Sequence, residues 1–168
     1  NTITLSDDGG LASNYSIATG QTTTAAITAA PLTATASASN KVYDGTTTAS
    51  VTLTFSGLIG DETLNQSVGA TFADQNVASG KTVTVNTITL SDDGGLASNY
   101  SIATGQTTTA AITAAPLTAT ASASNKVYDG TTTASVTLTF SGLIGDETLN
   151  QSVGATFADQ NVASGKTV

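Results

Sequence analysis

The amino-acid sequence repeats itself without a single substitution. Residues 1–83 are identical to residues 86–168, which gives a period of 85 residues (86 − 1). A chain of 168 residues therefore carries about two copies of one unit, and a unit of this size lies near the lower limit for a domain that folds unaided. The fold must consequently be a small one that can be placed in tandem with itself.

Alternation of apolar and polar residues predicts β-strands along the whole repeat. In "SVTLTF" the side chains of Val51, Leu53 and Phe55 share one face, and "LTATASA", "SVGATFA", "NYSIA" and "TTTAAIT" complete the set. Abundant Thr and Val suit a pleated, half-buried surface. Segments rich in Gly and Asp separate the predicted strands and supply the residues that turns require.

The segment "KTVTVNTITL" changes phase in its middle. Val83 and Val85 are inward in its first half, and Ile88 and Leu90 are inward in its second half. Both halves can face one core only if a β-bulge or a break lies at Asn86–Thr87. With that bulge, the predicted core consists of Leu32, Val51, Leu53, Phe55, Leu64, Val68, Phe72, Val83, Val85, Ile88, Leu90, Tyr100, Ile102 and Ile112.

Six or seven short strands per repeat predict an all-β fold, and a small β-sandwich with Ig-like topology is the favoured arrangement. A single helical turn near Leu58 to Leu64 would instead suit a β-grasp-like arrangement. Pro31 and Pro116, the two prolines, each lie in "ITAAPLTAT" and favour a short extended joint between domains.

The proline positions predict three parts of the chain. Residues 31–115 form a complete repeat domain, residues 1–30 are the C-terminal part of a preceding repeat, and residues 116–168 are the N-terminal part of a following repeat. Neither partial repeat can bury its apolar strands alone, and open strand edges recruit partners. We therefore expect neighbouring repeats of the same protein to meet end to end.

Missing residue types limit the chemistry that this chain can perform. The sequence has no His and no Cys, so the usual general base, thiol nucleophile and soft metal ligands are absent. The net charge is −8 and the four cationic residues are isolated lysines, which argues against nucleic acid as a partner. No apolar run approaches the ~20 residues of a membrane span, so membrane insertion is not expected.

Acidic turns offer the candidate sites. Asp92 and Asp93, together with their copies Asp7 and Asp8, could bind calcium with help from loop carbonyls and Asp74. The spacing matches no EF-hand and no calcium-binding β-roll, so a solvated acidic turn is favoured, with no catalytic, cofactor or metal residue assigned.

Three further features invite a chemical interpretation: the "VYDG" motif, two lysines and a pair of adjacent carboxylates. "VYDG" predicts a turn in which the Asp44 carboxylate accepts backbone N–H bonds, Gly45 takes a positive φ and Tyr43 packs over the core edge. Lys41 and Lys81 could take part in an intramolecular Lys–Asn isopeptide bond, but both flank turns and are expected to be solvated. A hydrolase dyad of adjacent carboxylates such as Asp61 and Glu62 is disfavoured because glycosidase carboxyls face each other across a cleft.

Several motifs of the repeat resemble a known family. "KVYDGTTTASV", "GLIGDETL", "GATFADQNVASGKTVTV", "LSDDGGLASNYSI" and "TAAITAAPLTATA" are similar to the YDG-type repeats of large bacterial surface exoproteins, which are common in haemagglutinin-like adhesins exported by two-partner secretion. The resemblance implies a secreted, cell-surface protein with a role in cell adhesion and biofilm, and no enzymatic activity attached to the motif.

Complete identity of the two copies also bears on function. If one repeat carried a dedicated site, its copy would be free to drift and the two would differ. Complete identity indicates that copies are duplicated or exchanged as blocks, so that the number of copies is the useful quantity. A stalk has this property, because each added domain lengthens it and stability is largely local. We expect a non-catalytic spacer that projects a terminal binding domain of an adhesin. The alternative is a repeated low-affinity module that binds glycans or a partner adhesin by avidity.

Overall fold

The computed structural model describes residues 2–168. These residues form short and long β-strands and two 3₁₀ helices, at Ala12–Asn14 and Ala97–Asn99. The strands are β1 Ala30–Ala38, β2 Lys41–Val42, β3 Thr48–Ala49, β4 Val51–Ser56, β5 Leu64–Phe72, β6 Ala78–Asp92, β7 Tyr100–Ile102, β8 Thr107–Thr113, β9 Thr118–Ala123, β10 Thr133–Ala134, β11 Val136–Ser141 and β12 Ala155–Thr156. The prediction of an all-β fold is confirmed.

Strands β1 to β8 form two sheets. The first has the order β4-β1-β7, and the second has the order β2-β8-β6-β5-β3. Most neighbours are antiparallel, but β1 pairs with β7 and β2 pairs with β8 in parallel. The parallel pairs join strands that are distant in sequence, so the beginning of the repeat is held against its end. This arrangement is consistent with the predicted β-sandwich.

The core lies between these two sheets. Leu53 comes from β4, whereas Phe72, Val83, Val85 and Ile112 come from the five-stranded sheet, and all five are buried. Every residue of the predicted core is buried or half-buried, which confirms the period-two reading of the strands. The small residues Ala49, Ala70 and Ala110 complete the buried cluster. Their size allows the sheets to approach closely around the larger side chains.

The predicted β-bulge is present in β6. Gly69 of β5 lies opposite Thr87, whereas the next residue, Ala70, lies opposite Val85, so Asn86 has no partner in the ladder. The Asn86 side-chain amide instead donates a hydrogen bond to the Thr71 hydroxyl, at 3.0 Å. The extra residue lets both halves of β6 turn their apolar side chains toward the core.

The segment from Leu58 to Leu64 contains no helix, so the structure lacks the helical turn that the β-grasp-like alternative requires. In that segment the Glu62 amide donates to the Ile59 carbonyl at 3.3 Å, which closes one turn that does not continue. Gly57 and Gly60 both have positive φ, and this backbone conformation prevents propagation of a helix. No helix within residues 2–168 is long and apolar enough to cross a membrane.

Residues 116–168 form a sparser set of strands. Strands β9 and β11 form an antiparallel pair with the register of β1 and β4 displaced by 85 residues (118 − 33), and β10 pairs with β12 as β3 pairs with β5. None of these residues is buried, and the same is true of residues 2–29. The two prolines differ accordingly, since Pro31 is the second residue of β1 while Pro116 precedes β9. The three-part division of the chain stays a prediction.

Candidate functional site: the Tyr-Asp-Gly turn and the contact between repeats

The Tyr-Asp-Gly motif forms the predicted turn. The Asp44 carboxylate accepts hydrogen bonds from the Thr46 amide and from the Thr46 hydroxyl, both at 2.9 Å. Gly45 has a φ of +74°, a conformation that a residue with a Cβ adopts at a cost. Tyr43 is half-buried and packs against the core. All three expectations for this motif are confirmed.

The Lys41 side chain stabilises the turn through several hydrogen bonds. Its ammonium group donates to Asp44 Oδ1 at 2.6 Å, to the Thr46 carbonyl at 2.8 Å and to the Thr48 carbonyl at 3.2 Å. The same group lies 5.8 Å from the centre of the Phe72 ring, within reach of a cation–π contact. The Lys41 side chain is only 17% exposed, so the expectation of a solvated lysine is wrong at this position.

This network explains the acidity of Asp44. The hydrogen bond from Lys41, followed by those from Thr46, lowers the pKa of the Asp44 carboxyl to about 2. The carboxylate is therefore ionised at any physiological pH and is engaged by its own repeat. A group held in this way stabilises a turn and is poorly suited to act as a general acid or base.

The copy of the turn in residues 116–168 has the same geometry. Lys126 donates to Asp129 at 2.7 Å and to the Thr131 carbonyl at 2.9 Å, and the pKa of Asp129 is also lowered to about 2 by the hydrogen bond from Lys126. The turn forms there although the surrounding residues bury little. It is thus determined by six consecutive residues, "KVYDGT".

Tyr100 and Glu62 connect two loops within the complete repeat. The Tyr100 hydroxyl donates a short hydrogen bond to Glu62 Oε2 and accepts one from the Ile59 amide at 3.1 Å. The hydrogen bond to Glu62 raises the pKa of the Tyr100 phenol. The Tyr100 side chain is buried, as predicted. Its hydrogen bonds therefore fix the "GLIGDETL" loop to the end of the repeat.

A second tyrosine–glutamate pair crosses from one repeat to the next. The Tyr43 hydroxyl donates a short hydrogen bond to Glu147 Oε1, 104 residues away in the sequence, and this bond raises the pKa of Tyr43. A Cβ atom added to Gly45 would lie 3.2 Å from Cγ2 of Ile144, so the turn and the following copy are in contact there. The Tyr-Asp-Gly turn thus meets the "GLIGDETL" loop of the next copy.

The aspartates of the acidic loops accept hydrogen bonds from nearby groups of the protein. Asp92 Oδ1 accepts the Ala97 amide at 2.8 Å, and Asp93 Oδ2 accepts the Thr63 hydroxyl at 2.8 Å. In the N-terminal copy Asp7 accepts the Ala12 amide and the Asp8 carbonyl accepts the Gly10 amide. Within residues 2–168, no three acidic side chains come together as metal ligands would.

Asp74 is paired with Lys81. Their side chains form an ion pair at 2.6 Å, and the Lys81 side chain is only 7% exposed, so the expectation of a solvated Lys81 is wrong. The hydrogen bond from Lys81 lowers the pKa of Asp74. Asp74 is consequently the counter-ion of Lys81.

Comparison with known proteins identifies the family. The family model of the YDG domain matches residues 28–110 and again residues 113–168, which together are more than half of the chain. The chain belongs to the YDG domain family. No curated protein and no solved structure matches it.

Sequence reasoning missed the residues at the contact between copies. Ile144 and Glu147 lie in a loop that reads as a polar turn, and the tyrosine they meet is about one full period upstream. Lys41 left a clearer signal, because "KVYDGT" places a cation three residues before an aspartate at both positions where the motif occurs.

Proposed function

We propose that this chain is a non-catalytic spacer of a bacterial cell-surface adhesin, located outside the cell, where its repeats project a terminal binding domain. The observation that carries the proposal is the complete identity of the two copies, combined with direct contact between them. Identical units that touch only their neighbours give a length proportional to their number. The Lys41–Asp44 and Tyr100–Glu62 interactions each join parts of one repeat, as expected of side chains with a structural role.

The proposal is tested by varying the number of repeats. Small-angle X-ray scattering on chains with two to six copies should give a maximum dimension that grows by a constant increment per copy. A glycan array with the same chains should remain blank. Reproducible glycan binding that strengthens with repeat number would replace the spacer with a low-affinity module that acts by avidity.

End-to-end association with further copies of the chain is part of this proposal. Residues 22–28 repeat the sequence of β8, lie outside any strand, and leave Ile27 fully exposed. In the following copy, Lys126, Phe157 and Lys166 line an open cleft of about 810 Å³. Lys41 and Lys81, the equivalents of the two lysines, pair with Ile112 and Ala110 of β8, so the cleft lies where that strand would be.

Light scattering on the chain at increasing concentration tests this association. The wild-type chain should associate, and Ile27→Asp should reduce association because a carboxylate cannot enter an apolar strand position. Leu11→Asp, at an exposed apolar residue outside residues 22–28, is the matched control. Equal association of all three chains would contradict pairing through residues 22–28.

A further inference from the structure

Ile144 is an exception to the difference in solvent exposure between the two copies. Residues 116–168 are otherwise more exposed than their equivalents, as when Leu117 is 40% exposed and Leu32 is 5% exposed. Ile144 is half-buried, whereas its equivalent Ile59 is 64% exposed. The cover on Ile144 therefore comes from outside its own repeat.

The cover comes from the Tyr-Asp-Gly turn of the preceding repeat. Tyr43 bonds to Glu147, and Gly45 lies against the Ile144 side chain. A glycine is needed at this contact for its positive φ, and it also lets the turn approach the isoleucine closely. One polar and one apolar contact thus define a small docking surface.

Each of the two surfaces that form this contact occurs a second time in the chain, and within residues 2–168 the second occurrence has no such contact. The turn at Tyr128 has the sequence and geometry of the turn at Tyr43, but Tyr128 is 59% exposed. Ile59 is likewise 64% exposed, although its equivalent Ile144 is covered by the turn at Tyr43. The exposed Ile59 and Tyr128 are therefore the two faces of the same contact.

Glu62 and Glu147 occupy one position of the repeat and bind different tyrosines. Glu62 accepts from Tyr100 of its own repeat through Oε2, and Glu147 accepts from Tyr43 of the preceding repeat through Oε1. A carboxylate has two oxygens and about four lone-pair sites, so one glutamate can accept both phenols.

We propose that Ile59 and Glu62 form the docking surface for the Tyr-Asp-Gly turn of a preceding copy, and that each such glutamate binds two tyrosines, one from its own repeat and one from the preceding repeat. The carboxylate then joins the end of its own repeat to the neighbouring repeat. This inference rests on the proposed spacer function, because it specifies how consecutive spacers are held in a fixed relation.

The contact is tested with spin labels in the full chain. The sequence has no cysteine, so Thr52→Cys and Thr137→Cys, two exposed and equivalent positions, give unique labels. Pulsed electron paramagnetic resonance should give one narrow distance distribution, and Tyr43→Phe or Glu147→Ala should abolish the narrow maximum. Tyr128→Phe is the matched control and should leave it unchanged. An unchanged distribution in Tyr43→Phe, or equal broadening in Tyr128→Phe, would overturn the proposal.

Sharing of the carboxylate is tested by completing the second repeat. A chain extended after Val168 by a copy of residues 84–115 gives Glu147 its own equivalent of Tyr100. The distance distribution should remain narrow and should still depend on Tyr43. If completion removes the dependence on Tyr43, the two tyrosines compete and sharing is wrong. Either result leaves the scattering and glycan measurements free to decide the spacer function.

Discussion

Val83 and Val168 occupy the same position in two identical stretches of sequence, yet Val83 is fully buried and Val168 is 43% exposed. Strand β5 has nine residues, whereas its equivalent β12 has two. Residues 31–83 and 116–168 thus share every side chain and differ in what lies beside them. The difference is the contribution of residues 84–115, which supply the rest of β6 and strands β7 and β8.

The features common to both copies are local. The β1–β4 and β9–β11 pairs have the same register, and in both Tyr-Asp-Gly turns the lysine donates a hydrogen bond to the aspartate. Strand length and burial differ, because they depend on β6 and β8, which lie between the other strands of the second sheet. The core of the repeat consequently forms only when all its strands are present, whereas each turn forms without them.

The largest expected effect is at the central phenylalanine. Phe72 is 2% exposed, so Phe72→Ala should reduce the free energy of unfolding by roughly 3–5 kcal/mol. Phe157→Ala, at the half-buried equivalent, should change it by roughly 1 kcal/mol or less. Urea denaturation followed by circular dichroism measures both values. Equal losses would mean that the following copy has a complete core of its own.

A smaller difference is expected at the bulge. A Cβ atom at Gly69 would lie 2.4 Å from the Thr87 hydroxyl, whereas at Gly154 it would meet nothing within 4 Å. Gly69→Ala should therefore destabilise the protein by about 1–3 kcal/mol, at the lower end if the threonine rotates. Gly154→Ala should be neutral in the same denaturation experiment. Destabilisation by both substitutions would show that β6-like pairing also exists beside Gly154.

The two turn glycines should respond almost alike. Gly45 and Gly130 have φ of +74° and +73°, so alanine at either position should destabilise its turn by roughly 1–2 kcal/mol. Nuclear magnetic resonance measurements of amide exchange at Thr46 and Thr131 give these two values separately. Gly45→Ala should show a small excess, because its Cβ also presses on Ile144. A larger effect at Gly130 would contradict the contact.

The smallest difference is expected in acid. The pKa of Asp44 and that of Asp129 are both lowered to about 2 from an ordinary value of 3.8. A lowered carboxyl pKa gives stability that is present above pH 3.8 and is lost as the pH falls through about 2. Carboxyl carbon titration by nuclear magnetic resonance should therefore give similar values for both aspartates.

Lysine substitutions provide the control for this titration. Lys41→Met should raise the pKa of Asp44 alone, and Lys126→Met should raise that of Asp129 alone, because each hydrogen bond lies within one turn. An ordinary pKa at Asp129 in the unmodified chain would show that the turn needs a completed repeat.

The amino-acid sequence by itself determined the strand phases and the turns of this protein. The alternation around Leu53 identified the buried face, and the slip in "KTVTVNTITL" placed the bulge at Asn86, because side-chain direction in a strand follows directly from residue order. The roles of Asp44 and Gly45 in the turn could also be predicted from the sequence, since their interactions lie within a few residues.

Only the tertiary structure decided which partners the side chains found. Lys81 reads as a solvated turn residue, but pairing of β6 with both β5 and β8 buries it, and Asp74 neutralises its charge. The contact of Tyr43 with Glu147 was also beyond the sequence, because two residues 104 positions apart meet only after each loop has been positioned by its own repeat. Identical residues therefore have identical turns, while their burial and their contacts depend on which strands and which neighbouring copy are present.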